Sequence, residues 1–189
     1  MTYAVAAPPR PWVRAAGLVA AVLVVLTGGV YTVVHAVAGD RLGPEGWPQH
    51  VSMGLPLLAA GAVAVLGSMA RRPWLMVAGG AAAVPICLVS IVGVPGLLPA
   101  AVVLAVGVSG LDRVSPRDWI VSTAIAMLLV GSFGYEVLHQ DPAEWATPQG
   151  SAGSSNIVTL TESIVVYGAV GLALGIAIAY AHTRGRPRG

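Results

Sequence analysis

Histidine and carboxylate side chains collect at one end of three apolar segments of this chain. Glu136 and His139 are three positions apart, a spacing that lets a carboxylate and an imidazole on one helix reach the same ligand. His35 lies near the end of an earlier apolar segment, and Glu162 lies near the start of the last one. Two imidazoles and two carboxylates suit zinc, iron or a similar divalent metal, and histidine is also an axial ligand of haem. The pattern therefore predicts a ligand or metal site formed by His35, Glu136, His139 and Glu162.

Further polar residues lie close to these four in the sequence and could support the site. Tyr31 is four positions before His35, Tyr135 is next to Glu136, and Asp40 and His50 lie in the connection after the first segment. Two other interpretations remain open. These side chains are also tolerated at a membrane–water boundary, where water is close, and a carboxyl or imidazole there could instead bind protons or a substrate.

The composition indicates a membrane protein. The chain has 189 residues, of which 56% are hydrophobic and 10% are charged, whereas about a quarter of the residues of a soluble domain are charged. Lipid can solvate the outer faces of apolar helices, so we expect one all-α membrane domain covering residues 1–189. The net charge is only +2 and its arginines flank apolar segments, which favours the lipid bilayer as partner and excludes nucleic acid.

Two residue types limit the chemistry. The chain has no lysine, which excludes a lysine Schiff base and a Walker-type phosphate loop. Its one cysteine, Cys87, excludes an intrachain disulfide and a CxxC redox pair. No recognised pairing of a nucleophile with a base is present, so the sequence favours a protein that is not an enzyme.

Six apolar segments are predicted to cross the membrane. The uncharged stretch 73–111 would extend about 58 Å as one helix at about 1.5 Å per residue, roughly twice the thickness of the hydrocarbon core. It must therefore fold back, and residues 93–96 (Gly-Val-Pro-Gly) provide the turn signal. The last span is expected to start at Ile157 with Asn156 as its N-cap. The predicted spans are approximately 15–38, 51–70, 74–92, 97–111, 119–138 and 157–181.

The charge distribution predicts the orientation of these spans. Nine of the ten arginines fall in gaps that share one side of a six-span arrangement, and arginine is retained on the cytoplasmic side. Both termini are therefore expected in the cytoplasm, and residues 140–156 are expected to form an irregular loop outside. The Ala36-Val37-Ala38 sequence leaves a cleaved signal peptide as the alternative for the first span. The bias toward Ala, Val, Gly and Arg is typical of high-GC bacteria such as actinobacteria, which predicts the bacterial plasma membrane.

Gly171 and Gly175 form a GxxxG spacing in the last span. Small residues at this spacing let helices approach closely in lipid. Packing inside the chain, a homo-oligomer and contact with another membrane protein are all compatible with it.

In size and topology the chain resembles the substrate-binding subunits of energy-coupling-factor vitamin transporters. The resemblance rests on six predicted helices in a chain of 189 residues and on no sequence motif; the A-x-x-x-A spacing from Ala16 to Ala20 in the first helix carries little weight in a chain this rich in alanine. The resemblance implies ligand capture from outside the cell and docking on a partner through the first helix.

Three functions remain open from the sequence. The favoured one is a transport-related or substrate-binding function on the extracytoplasmic side. An accessory or assembly subunit of a larger membrane complex is the first alternative. A membrane-embedded enzyme or redox protein that uses the His/Glu cluster with a metal or haem is the second.

Overall fold

Six helices and one two-stranded hairpin make up the computed structural model of the protein, which describes residues 11–40, 51–90, 94–111, 115–139, 141–146, 152–157 and 159–183. The helices are α1 (Pro11–Asp40), α2 (Leu55–Met69), α3 (Pro73–Val89), α4 (Val94–Ser109), α5 (Pro116–Leu138) and α6 (Leu160–Thr183), and the strands are β1 (Asp141–Ala146) and β2 (Ala152–Ile157).

The prediction that residues 73–111 fold back on themselves is confirmed. Helix α3 ends at Val89, the backbone of Ser90 is extended at φ −91° and ψ 119°, and α4 begins at Val94. Pro73 at the start of α3 fits its first turn, where a missing N–H costs nothing. The two helices of this hairpin pack against each other along their length.

Two sequence predictions are wrong between α5 and α6. Residues 141–146 and 152–157 form antiparallel strands, with Asp141 opposite Ile157 and Ala146 opposite Ala152, in place of an irregular loop. As a result the last helix begins at Leu160, three residues later than expected, and Asn156 is a strand residue and not its N-cap. The second helix also begins late, at Leu55, because a turn at residues 53–54 separates it from the helical residues 51–52.

Three helices are long and apolar enough to cross a membrane: Pro11–Val34 within α1, Pro116–Leu138, and Leu160–His182 within α6. Their outward faces carry large exposed apolar side chains such as Val19, Leu26 and Leu172, which would be unfavourable in water. The other helices are apolar but shorter, with 15, 17 and 16 residues in α2, α3 and α4. A helix of that length extends roughly 24 Å, less than the thickness of a hydrocarbon core of about 30 Å.

Helices α1 to α4 pack in a ring, because each contacts the next and α1 also contacts α4. Helices α5 and α6 form a second antiparallel pair, which packs against α2 and α3. The shared interior consists of fully buried apolar side chains from both groups, among them Leu57, Leu75, Ile86, Ile125, Leu129 and Val166.

Glycine allows the closest helix contacts within the ring. A Cβ built on Gly28 of α1 would lie 2.5 Å from the backbone nitrogen of Leu58, and one built on Gly79 of α3 would lie 2.5 Å from the carbonyl oxygen of Ala60. Backbone atoms cannot move aside as a flexible side chain can, so any larger residue would push these helices apart. Gly171 and Gly175 differ, because an added Cβ would meet no atom within 4 Å in the part of the chain that is described. These two glycines therefore do not mediate close helix–helix packing among the described residues.

The contrast between these glycines gives a direct stability prediction. Gly28→Ala is expected to destabilise the protein by about 1–3 kcal/mol, since the added methyl group overpacks the contact between α1 and α2. The matched control, Gly171→Ala, is expected to leave stability unchanged or slightly higher, because alanine is the better helix former. Thermal unfolding of both variants in the same detergent measures the difference. Equal unfolding temperatures would contradict the tight contact between α1 and α2.

The two ends of the helix bundle carry different polar residues. Arg14, Arg71 and Arg72 lie around one cavity, and Tyr180 lies beside Arg72, so the start of α1, the turn between α2 and α3 and the end of α6 meet there. We refer to this as the arginine end. Tyr31, Ser52, Glu136 and Ser163 lie at the opposite end, which we refer to as the glutamate end.

Candidate functional site

Glu136 is a carboxyl group buried in the interior of the bundle. It lies in the last turn of α5 with only 1% of its surface exposed. The same face of α5 carries Ile125, Leu129, Ser132 and Phe133, all buried. Residues spaced by three and four positions lie on the same side of a helix, so position 136 faces the core together with these residues. The carboxyl of Glu136 is therefore buried in the core.

Two serines from other elements lie beside this carboxyl. Ser52, a helical residue just before the turn that precedes α2, donates a hydrogen bond from its hydroxyl to Oε1 of Glu136. The hydroxyl of Ser163, in the second turn of α6, lies 3.4 Å from that of Ser52 and 3.1 Å from the carbonyl oxygen of Thr159. Both serines are completely buried. We call Ser52, Glu136 and Ser163 the glutamate cluster; it joins α5, α6 and the start of α2.

The second carboxyl oxygen of Glu136 has no hydrogen-bond partner among the described residues. Oε2 is buried, and no hydrogen bond reaches it from any part of the chain that the structure describes. An ionised oxygen here would lack a donor or cation, and a protonated one would lack an acceptor. Either state leaves a desolvated polar atom uncompensated, which costs on the order of 1–3 kcal/mol or more. Such an atom marks a candidate position for a ligand.

Aromatic hydroxyls extend the polar environment of the cluster. Tyr31 of α1 is buried, and its side chain is hydrogen-bonded to that of Ser90 at the end of α3. The carboxyl of Glu136 is close enough to Tyr31 and to Tyr167 of α6 to interact with them electrostatically. Residues of α1, α5 and α6, together with one residue just before α2 and one just after α3, therefore lie at this end of the bundle.

His139 does not share the environment of Glu136. Helix α5 ends at Leu138, so His139 follows its last turn with φ −109° and ψ 13°. Its ring is exposed, stacks on Tyr135 with 4.2 Å between ring centroids, and has Nδ1 at 2.7 Å from the carbonyl oxygen of Tyr135. The carboxyl thus faces the interior while the imidazole lies on the surface of its own helix.

Glu162 caps the helix to which it belongs. Its Oε2 accepts a hydrogen bond of 2.6 Å from the backbone N–H of Thr159, and the hydroxyl of Thr159 accepts one of 3.3 Å from the N–H of Glu162. This reciprocal pair is a capping box, which satisfies two backbone donors that α6 would otherwise leave open. The cap fixes the start of α6 and with it the position of Ser163.

Three further predicted site residues, His35, Asp40 and His50, have side chains outside the described part of the structure. His35 and Asp40 lie in α1, but their side chains are outside the described atoms, and His50 lies outside the described residues. Within the described part of the chain, no group of three or more His, Cys, Asp or Glu residues could hold a metal ion. The four-residue metal or haem site stays a prediction.

The sequence did not single out Ser52, Ser90 or Tyr167. Ser52 and Ser90 are isolated serines at the edges of apolar runs, where serine is common, and no local spacing relates them to Glu136. Their partners are fixed only by helix packing, since Ser52 and Glu136 are 84 residues apart. No family model, curated protein or solved structure matches the chain.

Proposed function

We propose that this chain is a small membrane protein with a transport-related or substrate-binding function, and that Glu136 binds a positively charged ligand. The observation that carries the proposal is that Oε2 of Glu136 is buried and has no hydrogen-bond partner among the described residues. A cation would supply the missing partner and offset the cost of a carboxylate away from water. Ionisable groups inside membrane proteins commonly mark ion or substrate pathways.

The chemistry of the glutamate cluster favours a small cation over an anion. Its acceptors are the carboxyl oxygens of Glu136 and the hydroxyl oxygens of Ser52 and Ser163. A monovalent metal ion, a proton or a small ammonium group can use such oxygen atoms, whereas an anion would be repelled by the carboxylate. Because the Ser52 hydroxyl can rotate toward Ser163, it can release Oε1 without leaving its position.

The proposal includes the membrane arrangement. We infer that all six helices are membrane segments, with both termini in the cytoplasm of a bacterial cell and the glutamate end toward the exterior. Support comes from the position of Arg14, Arg71 and Arg72 at one end of the bundle, as expected for cytoplasmic arginines. The three shorter helices would be accommodated by local thinning of the bilayer.

Ligand-dependent thermal stability tests the proposed function. The purified protein is unfolded in the presence of Li⁺, Na⁺, K⁺, Mg²⁺, Ca²⁺ and methylammonium chlorides at constant ionic strength. We expect one of these cations to raise the unfolding temperature, because a ligand that binds only the folded state stabilises it by mass action. The increase should disappear in Glu136→Gln, which keeps the size of the side chain and removes its charge.

Glu162→Gln is the matched control for this experiment. Glutamine can still accept the hydrogen bond from Thr159, so the cap of α6 is preserved. A cation response that survives Glu162→Gln but not Glu136→Gln supports the proposal. A response that is absent from the wild type, or equal in both variants, contradicts it.

A second candidate function, an accessory subunit of a larger membrane complex, has its own support. Gly168, Gly171 and Gly175 on α6 lie on an exposed face with nothing packed against them in the described part of the chain. Another transmembrane helix could approach this face closely. A stoichiometric partner that co-purifies with the wild type and is lost on Gly171→Leu would favour this function.

A further inference from the structure

The arginine end contains a cavity that the proposed function does not use. Its volume is about 190 Å³, and it is lined by Arg14 of α1 and by Arg71 and Arg72 of the turn between α2 and α3. Met76 of α3 and Gly110, after α4, complete part of its wall. Arg14 precedes Tyr31 by 17 positions in one helix, so the cavity lies roughly 25 Å from the glutamate end.

The backbone of the α2–α3 turn places two successive arginines at this cavity. Arg71 has a left-handed φ of 54°, the backbone N–H of Arg72 donates to the carbonyl oxygen of Gly67 at 2.7 Å, and that of Arg71 donates to the carbonyl oxygen of Ser68 at 3.3 Å. These bonds form a Schellman motif, whose left-handed position is usually occupied by glycine. An arginine at this position accepts conformational strain, which indicates that its side chain has a use there.

The described residues that line the cavity carry an excess of positive charge. Three arginines contribute to the lining, and none of the described residues that line it is acidic. Nε of Arg72 is buried and has no hydrogen-bond partner among the described residues, and its guanidinium lies 6.0 Å from the ring centroid of Tyr180. The nearby carboxyl of Asp118 accepts the hydroxyl of Tyr180 and is itself buried. Three cations beside one small cavity repel one another unless an anion lies between them.

We propose that this cavity binds the phosphate group of an anion. Guanidinium groups pair with phosphate oxygens through two parallel hydrogen bonds, and arginine stays charged at any accessible pH. The volume suits a phosphate with a small organic substituent and is well below that of a drug-sized pocket. The phosphate can come from the headgroup of an anionic lipid or from a soluble phosphate. Binding here is independent of Glu136.

The test uses the full-length protein and two phosphate sources. Unfolding temperatures are measured in detergent with added sodium phosphate against sodium chloride of equal ionic strength, and in nanodiscs of phosphatidylglycerol against phosphatidylcholine. Stabilisation by inorganic phosphate identifies a soluble anion, whereas stabilisation by phosphatidylglycerol alone identifies a lipid headgroup. Absence of both effects overturns the proposal.

Three variants separate binding from folding. Arg71→Gly removes one charge but supplies the residue that the Schellman motif prefers, so the unliganded protein should be at least as stable as the wild type. We expect it to weaken phosphate binding roughly tenfold, and Arg14→Gln to have a similar effect. Arg117→Gln is the control, because Arg117 is exposed and does not line the cavity. Unchanged binding in Arg71→Gly and Arg14→Gln, or equal weakening in Arg117→Gln, would overturn the site.

Discussion

Replacing Glu136 by leucine is expected to raise the unfolding temperature of the protein and to abolish its response to cations. Leucine has a similar size and fits a face already lined by Leu129 and Phe133. It also removes the buried Oε2, which has no partner among the described residues. Replacing a buried ionisable group by an apolar residue is often neutral or stabilising, here on the order of 1–3 kcal/mol. Ser52 keeps the hydroxyl of Ser163 at 3.4 Å as an alternative partner.

The measurement is thermal unfolding of the wild type, Glu136→Leu and Glu136→Gln, with and without the stabilising cation. A gain in stability together with loss of the cation response would show that Glu136 is retained for a function and not for the fold. If Glu136→Leu instead lowers the unfolding temperature and Glu136→Gln does not, the carboxyl supports the structure, and its proposed role in binding fails.

The second large effect is expected at the other end of the bundle, in Tyr180→Phe. The hydroxyl of Tyr180 donates a hydrogen bond to Oδ1 of Asp118, whose surface is only 4% exposed. Removing the donor leaves a buried carboxyl oxygen with less compensation, so we expect a loss of about 1–3 kcal/mol in the free energy of unfolding. The bond joins the first turn of α5 to the last part of α6, which makes it a clamp on this helix pair.

A double-mutant cycle isolates this interaction. Tyr180→Phe, Asp118→Ala and the double variant are unfolded in denaturant under identical conditions. A coupling energy of about 1 kcal/mol or more is expected, because each single change leaves the other group buried. Tyr167→Phe on the same helix is the control, since Tyr167 is more exposed than Tyr180 and lies near Glu136, at the opposite end of the bundle. Additive effects of the two single changes would contradict the clamp.

Helix positions were predictable from the sequence because long apolar runs interrupted by arginine or by Gly-Pro turns leave few alternatives. The hairpin of β1 and β2 was not, because residues 141–146 and 152–157 contain few β-branched or alternating apolar residues. The start of α6 could have been found: Thr159 and Glu162 have the T-x-x-E spacing of a capping box. The same spacing predicts that the Glu162 carboxyl accepts a hydrogen bond from the backbone of Thr159 at the start of its own helix.

The importance of Glu136 was predictable, whereas its partners were not. A single carboxyl in an apolar helix must be buried among polar groups or lie at an interface. The residues four positions before and three positions after Glu136 are polar. His139 shares that spacing, but the helix ends before it, so its ring lies on the surface. Ser52 reaches Glu136, and Ser163 reaches Ser52, only through the packing of α2 and α6 against α5. Contacts of that kind are set by tertiary structure and leave no periodic signal.

Infrared difference spectroscopy of the Glu136 carboxyl tests the central claim most directly. The protein is prepared with isotope-labelled glutamate carboxyls, and spectra are recorded before and after addition of the cation that stabilises it most. We expect a shift in a labelled carboxyl band that is present in the wild type and in Glu162→Gln and absent from Glu136→Gln. A band that does not respond to the cation, or a response that persists in Glu136→Gln, would contradict the assignment of Glu136 as the ligand-binding group.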